Sequence, residues 1–516
     1  MSHFRRAVVI FLCAAAILLV VHGNRLVLTN DEGILLEPGH HIANGAKPYT
    51  EFFAYMSPGS YWIQAALFRV FGFSYWVGRL PVIFDFSLQC GLMFWLAARY
   101  SSIRTAYAVV FLYAGFQFAD PSVLTAQHRW DSGTLALLGI CLALDSRKGR
   151  LLASGIVCAA AAWCTPSIAL VGVVIFCWLV FYQRKNALAF VSGVGAVTML
   201  VIVTLAQQGN LTAFVRQMLW LQKNYAQVNF MYYGEVMGGY GTLLEGAHGV
   251  ESLFTYAMVA CLALPAILPI AAVLLWCFLV RKNAELRPIA ALLVLSMAAL
   301  IASVVPRADM MHLALIVALP AVLTAIAVAR LFPLRVSAIT AFTLVPFALL
   351  FCFNGVSGLL KSRTIDSPAG SLRADAMLAA AEEELLKHVQ PGQTLFVYPY
   401  MPVHYFITKA VNPTSFSFLA PGMMTEREEQ QCLNQLRAHP PQWLLYMPLS
   451  RQEFLRVFPH AQSINNSFPA LEAWLEQNYQ PTDLIIGSYS FMQFRQAETQ
   501  VSSSRNLRNS SAGQRQ

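Results

Sequence analysis

Residues 24–78, NRLVLTNDEGILLEPGHHIANGAKPYTEFFAYMSPGSYWIQAALFRVFGFSYWVG, decide how the rest of the chain is read. They form the first polar interval after an apolar N-terminal segment, and they carry two adjacent carboxylates, Asp31 and Glu32, close to its end. Carboxylates beside a bilayer are costly unless a partner or a ligand meets them. Residues 33–43 fit a helix that starts beside the pair, with Asp31 a candidate N-cap, and the glycine and proline of 45–48 stop it. Residues 58–71 repeat aromatic and aliphatic side chains at helical spacing, which predicts a helix lying in the membrane interface. Asp31 and Glu32 then sit at the waterline.

Composition agrees with a membrane setting. Of 516 residues, 57% are hydrophobic and 12% charged, and the mean hydropathy of +0.54 is far above that of an ordinary soluble domain. The net charge of +9 would suggest nucleic acid in a soluble chain, but here Arg and Lys fall in short connections between apolar runs, so no nucleic-acid partner is expected. Cys432 alone of the ten cysteines lies away from the apolar runs, and no disulfide framework or CxxC metal site is suggested.

Residues 7–21, preceded by Arg5 and Arg6, read as an uncleaved anchor with a cytoplasmic N-terminus. Further spans are expected at 76–98, 105–119, 131–145, 151–164, 167–182, 187–206, 253–280, 288–304, 311–329 and 336–353. Arg and Lys cluster on every second connection, which supports about eleven crossings. Thr165 and Pro166 are either a tight outer turn or a kink within one long helix. The outer face then receives residues 24–75, a short loop at 118–130, a long loop at 207–252, the SVVPRADMMH stretch and everything from residue 354.

Polar groups gather on that face. FADPSVLTAQHRWDSG carries Asp120, His128, Arg129 and Asp131, PRADMMHL carries Arg307, Asp309 and His312, and Lys47 follows the helix stop of the first loop. The long loop opens as an amphipathic helix and becomes glycine-rich, a pattern suited to a mobile cover. Its GGYG lacks the Lys-Ser/Thr and the strand context of a phosphate-binding loop. Residues 354–500 alternate helical and strand patterns: a helix at 371–389, a strand at 394–400, a short helix at 403–410, a further helix at 433–439, a strand at 442–449, a helix at 468–479, and a final strand or pair at 483–495. This predicts a small α/β domain on the outer face, and residues 501–516 read as a disordered tail.

The run DEG, GAKPYTEFF, SPGSYWIQAALFRVFG and GRLP resembles the start of the GT-C membrane glycosyltransferases, in the branch of the protein O-mannosyltransferases and the lipid A aminoarabinose transferase. The resemblance is close over the first quarter and extends by topology to about residue 353. It implies a polyprenyl-phosphate-linked sugar donor, a lipid, glycan or protein acceptor, and work on the outer side of a bacterial inner membrane. Asp31 matches the family's first-loop acidic residue, a catalytic base or acceptor-orienting group, and Glu32 matches a second acidic position. Asp120 and Asp131 both qualify as the second-loop acid. Lys47 and Arg79 lie in AKPY and GRLP, which resemble family motifs, whereas HRWD matches no metal-ligand pattern.

Such a transfer needs few groups. A carboxylate that takes the acceptor hydroxyl's proton contributes roughly 10²- to 10⁴-fold, and a cation can meet the departing phosphate. That assigns Asp31 to the base, Arg129 or Arg307 to the phosphate, and Glu32 or Asp120 to sugar hydroxyls, with His128 and His312 as further substrate contacts. Simpler roles stand beside these: Arg129 and Asp131 as an interfacial ion pair, and His128 as an ordinary interfacial histidine. A divalent ion bridging Asp31, Glu32 and a second-loop carboxylate is a further arrangement that these oxygen donors permit. The competing classes are a lipid-linked sugar flippase, for which the chain lacks internal repeats, and a noncatalytic envelope assembly component.

Overall fold

The computed structural model describes residues 3–235 and 249–495. Eleven helices build the bundle: α1 (His3–His22), α4 (Tyr75–Tyr100), α5 (Ile103–Ala119), α6 (His128–Ala143), α7 (Lys148–Cys164), α8 (Ala169–Tyr182), α9 (Ala187–Gln207), α11 (Val250–Lys282), α12 (Arg287–Ser303), α14 (Ala318–Leu331) and α15 (Val336–Leu350). Between them lie α2 (Asn30–Ala43), α3 (Pro58–Phe71), α10 (Leu211–Val228) and the short α13 (Met310–Ala314). Each expected apolar span is thus represented by helix. By length and composition, however, six helical stretches among the described residues suffice to cross a membrane: His3–His22, Tyr75–Tyr100, Arg184–Gln207, Thr255–Lys282, Ala284–Ser303 and Thr340–Lys361. This corrects the count of eleven. The other five helices have 14 to 17 residues, and at 1.5 Å per residue they reach about 21–26 Å against a hydrocarbon core of about 30 Å.

The bundle has two chemically distinct ends. At one, Arg330 Nε donates to Tyr100 O (2.6 Å), Asn186 Nδ2 to Ser146 O (3.1 Å) and Trp178 Nε1 to Pro288 O (2.7 Å), so the basic connections lie together. At the other, Asn354 Nδ2 donates to Phe118 O (2.7 Å), Arg25 Nη1 to Asn354 O (2.6 Å) and Ser167 Oγ to Ser303 O (2.7 Å). Thr165 and Pro166 form a tight turn: α8 runs back along α7, bringing Asn186 to Ser146, and a Cβ on Gly172 would stand 3.8 Å from that of Cys158. Close approach of α7 and α9 depends on glycine, since a Cβ on Gly155 would lie 2.0 Å from Phe190 O and one on Gly193 2.2 Å from Leu152 O.

Helix α2 starts at Asn30, earlier than the sequence suggests, with Thr29 in the cap position and Asp31 inside the first turn, so Asp31 is not the N-cap. Carboxylates there are favoured by the helix dipole. Helix α3 has the expected bounds. Helix α10 supplies the amphipathic start of the long loop, whose GGYG lies outside the described residues, as does the tail.

Helix α15 continues through a π-helical turn into α16 (Gly358–Lys361), which leads to the C-terminal part. A hairpin, β1 (Arg363–Ser367) and β2 (Gly370–Ala374), comes first, followed by α17 (Ala376–His388). Next come β3 (Leu395–Tyr398), α18 (Val403–Thr408), α19 (Glu426–Ala438), β4 (Trp443–Tyr446), α20 (Arg451–Val457), α21 (Pro469–Asn478), β5 (Tyr479–Ile486) and β6 (Tyr489–Phe494). The sheet order is β3-β4-β6-β5, with β3 and β4 parallel and the remaining pairs antiparallel. LFVY and WLLY are buried at every position, as strands covered on both faces require. Residues 371–374 were expected to open a helix but form β2, because Arg373 pairs with the chain leaving α1: Leu26 N donates to Arg373 O (2.7 Å) and Arg373 N to Asn24 O (2.8 Å). The domain docks against the end of the bundle that carries Asp31, with Phe53 N donating to Ser415 O and Tyr75 N to Ala369 O, each 2.8 Å.

Candidate functional site

The site begins with a buried anchor. Glu32 Oε2 accepts from Arg79 Nη2 (2.8 Å) and from the Tyr75 hydroxyl (2.6 Å), while Oε1 accepts from the Ala126 backbone N–H (3.2 Å) and faces Arg79 Nε. Arg79 Nη1 donates to Leu124 O (2.9 Å). Neither the Glu32 nor the Arg79 side chain is exposed. These bonds join the first turn of α2, the second turn of α4 and the 120–127 loop. They place Glu32 and Arg79 beneath the surface, engaged with each other, rather than at a substrate. Burying two charges is tolerable only when they are paired in this way.

Asp31, one residue earlier on α2, faces the other way and is exposed. Its charge acts on Tyr55, Tyr225, Arg129 and Arg307, side chains from the first loop, α10, the start of α6 and the 304–309 turn. Arg129 is the less satisfied of the two arginines: its Nη1 is buried with no hydrogen-bond partner among the described residues. Burial works against its charge, and Tyr225, Asp31 and Asp309 support it. Arg307 is instead held on all sides. Nε donates to Asp309 Oδ2 (2.8 Å), Nη1 to Asn229 Oδ1 (2.8 Å) and Nη2 to Val457 O (3.5 Å), and Cζ lies 5.4 Å from the Phe458 ring centroid.

Asp309 is fully buried and orients His312, whose backbone N–H and Nδ1 each lie 2.8 Å from Oδ1. Burial opposes the Asp309 charge, yet His312 and Arg307 together hold this carboxyl well below its usual range. His312 is lowered by burial, with Arg129 and Arg307 adding to the effect against Asp309. His128 Nδ1 lies 2.7 Å from Thr165 Oγ1, and burial, then Arg129 and His312, bring it down to about 3. The His128 ring is therefore neutral near pH 7.

The structure brings together Asp31, His128, Arg129, Arg307 and His312 and leaves the other candidates apart. Lys47 is exposed beyond the far end of α2, on the order of 20 Å from Asp31 along the helix. Asp120 caps the turn that follows α5, its Oδ1 accepting from Ser122 N (2.9 Å) and Ser122 Oγ (2.7 Å). Asp131 makes no ion pair with Arg129 among the described residues; it is buried against Asp85 and Ser60. The proposed bridging ion does not fit, because the Glu32 oxygens face Arg79, Tyr75 and Ala126, and among the described residues no three His, Cys, Asp or Glu side chains converge on a metal position.

Sequence reasoning passed over Tyr55, Tyr225, Asn229 and Asp85. Aromatic side chains abound on both loops, so nothing local singles out the two tyrosines. Asp85 did carry a signal, as an acidic residue in the middle of an apolar span.

No protein-family model matches the chain, and no curated protein sequence does. Among solved structures, the fold is similar to that of ArnT from Cupriavidus metallidurans bound to undecaprenyl phosphate, at 11% identity over 94% of this chain and 97% of that one, with a TM-score of 0.56. The apo state of that protein gives 12% identity, 95% and 98% coverage and a TM-score of 0.56. The Archaeoglobus fulgidus oligosaccharyltransferase in complex with Zn and sulfate gives 12% identity, 92% and 71% coverage and a TM-score of 0.51. At these identities the likeness is one of fold.

Proposed function

We propose that the chain is a glycosyltransferase of the GT-C type that moves a sugar from a polyprenyl-phosphate carrier to a hydroxyl acceptor at the outer face of a bacterial inner membrane. The observation that carries this reading is the exposed Asp31 carboxylate within electrostatic reach of the buried Arg129, whose Nη1 lacks a partner among the described residues, at the end of an apolar bundle. A base and an anion-binding cation held together at headgroup depth suit sugar transfer from a lipid phosphate. The fold adds support, since ArnT, which shares it, has been solved bound to undecaprenyl phosphate.

In the proposed reaction the acceptor oxygen forms its bond to the anomeric carbon as Asp31 takes the hydroxyl proton. The carbon–oxygen bond to phosphate breaks, and the electron pair leaves on the phosphate, whose charge Arg129 meets. One displacement inverts the anomeric configuration. Phosphate is a competent leaving group once its charge is met, so no acid is needed. Glu32 and Arg79 hold the first turn of α2 in place, and Asp309 and Arg307 hold His312. In this reading the N-terminus is cytoplasmic, the basic connections face inward, residues 354–500 are periplasmic, and the shorter helices cross within the shelter of longer neighbours.

Purified protein in proteoliposomes, given radiolabelled polyprenyl-phosphate sugars and envelope extracts, is expected to produce a labelled product that the Asp31→Asn variant does not. Membrane-impermeant thiol labelling of Asp31→Cys in intact cells tests the sidedness. Labelling only from the cytosolic side would overturn the reading.

A further inference from the structure

In the half of the bundle nearer the basic connections, α5, α11, α14 and α15 leave a cleft of about 110 Å³, with Thr105, Leu112, Leu268, Ala321, Ala329 and Thr343 in its wall. It runs from Leu112 back to Thr105 on α5 and from Ala321 to Ala329 on α14, about 10–12 Å along the helix axes. The threonine hydroxyls of the wall are turned to protein partners. That of Thr105 lies 3.1 Å from Ser101 Oγ and 2.9 Å from Ser102 Oγ, Thr324 Oγ1 donates to Leu268 O (3.1 Å), and Thr343 Oγ1 donates to Thr340 O (2.9 Å). What remains facing the cleft is hydrocarbon, which suits an alkyl chain rather than water or a polar ligand.

The mouth has the opposite chemistry. Thr105 follows Arg104 and Ala329 precedes Arg330, so the cleft ends on the connections between α4 and α5 and between α14 and α15. Residues 99–104 and 330–335 hold four arginines and no Asp or Glu. Arg99, Arg104, Arg330 and Arg335 are all exposed. The two connections are tied together, Arg330 Nε donating to Tyr100 O (2.6 Å) and Thr340 Oγ1 to Arg104 O (3.4 Å). Asp145, on the next connection, is taken by Arg147 and Arg150. Arg99 Cζ lies 5.1 Å from the Trp95 ring centroid and 5.4 Å from that of Tyr100, an aromatic and cationic set that belongs at headgroup depth. An alkyl-lined cleft that ends on a cationic rim is complementary to an amphiphile with hydrocarbon chains and an anionic phosphate head.

We propose that this cleft binds an anionic phospholipid of the leaflet that meets the basic end of the bundle, with one acyl chain between α5 and α14 and the phosphate against Arg104 and Arg330. The site lies away from Asp31 and Arg129 and stands independently of the transferase reading.

The test titrates the full chain, purified in detergent and stripped of lipid, with dioleoyl phosphatidylglycerol, dioleoyl phosphatidylcholine and glycerol phosphate, and counts bound molecules by native mass spectrometry. One phosphatidylglycerol per chain is expected, held at least about tenfold more tightly than phosphatidylcholine, since each arginine at a bilayer surface is worth roughly fivefold. The double variant Arg104→Gln/Arg330→Gln is expected to remove that preference, and Arg104→Lys/Arg330→Lys, which keeps both charges, to retain it. Ala325→Phe fills the cleft without touching the rim and is expected to weaken phosphatidylglycerol by at least about tenfold. Equal affinity for the two phospholipids, or loss of the preference in the lysine variant as well, overturns the role of the arginine charges. Glycerol phosphate binding as tightly as the lipid, or undiminished lipid binding by Ala325→Phe, overturns the role of the cleft.

Discussion

Arg79 Nη2 stands 2.8 Å from Glu32 Oε2, across 47 positions of sequence, and neither side chain reaches solvent. This pair fixes the helix turn that presents Asp31. Removing one partner of such a pair leaves a buried charge alone, at a cost of about 3–5 kcal/mol. Arg79→Ala and Glu32→Ala are each expected to lower the thermal unfolding midpoint sharply and reduce the yield of folded protein. Midpoints indistinguishable from wild type would show that the anchor is dispensable.

Asp31 is exposed and makes no ion pair among the described residues, so its amide counterpart should leave the fold intact. Asp31→Asn is expected to keep the wild-type unfolding midpoint while turnover falls by roughly 10²- to 10⁴-fold. Its signature is therefore the reverse of that of Glu32→Ala, although the two residues are neighbours. Turnover and melting measured on the same preparations separate the two roles.

The two arginines should also part company. Arg129→Gln removes a buried, incompletely satisfied cation, so polyprenyl-phosphate binding is expected to weaken by at least tenfold with little loss of stability. Arg307→Lys keeps a charge but gives up the forked contacts to Asp309 and Asn229 and the stacking on Phe458. Hydrogen exchange should then quicken in residues 229–235 and 455–460, because Arg307 ties these segments together. If exchange there stays at the wild-type rate, the tie is not what holds them.

Titration of His128 gives stability a direction in pH. In the unfolded chain this ring protonates near pH 6.5, whereas in the folded protein it waits until about 3. Between those values the unfolded state binds more protons, so its contribution to stability is complete above about pH 6.5 and declines as pH falls, by no more than about 1.4 kcal/mol per pH unit. His128→Asn is expected to flatten the melting-versus-pH curve on the acid side. An unchanged slope would mean that other groups dominate it.

Gly33 controls how the C-terminal domain seats. A Cβ there would stand 2.2 Å from the Val403 backbone N and 2.7 Å from the Pro402 carbonyl carbon, and backbone cannot retreat as a side-chain tip can. Gly33→Ala is expected to push α18 from α2 and make the 399–424 region more sensitive to protease, with lower activity. Protection equal to wild type would show that the interface accommodates the methyl.

Much of the architecture was written in local features of the chain. Apolar period and the placement of glycine and proline located α2 and α3 but left Thr165 and Pro166 between a turn and a kink, and alternation of basic connections separated the two ends of the bundle, because helix formation and charge placement depend on neighbours a few residues apart. Tertiary structure alone decided the rest. Asp31 and Glu32 are adjacent and chemically alike, and only the arrival of Arg79, Tyr75 and Ala126 makes one a buried strut while the other stays at the surface. Arg129 and Arg307 look equivalent until Asn229, Val457 and Phe458 close around the second. SLRA reads as the start of a helix until Asn24 and Leu26 pair with Arg373. In each case the deciding partners lie tens to hundreds of positions away, where periodicity and spacing carry no information about them.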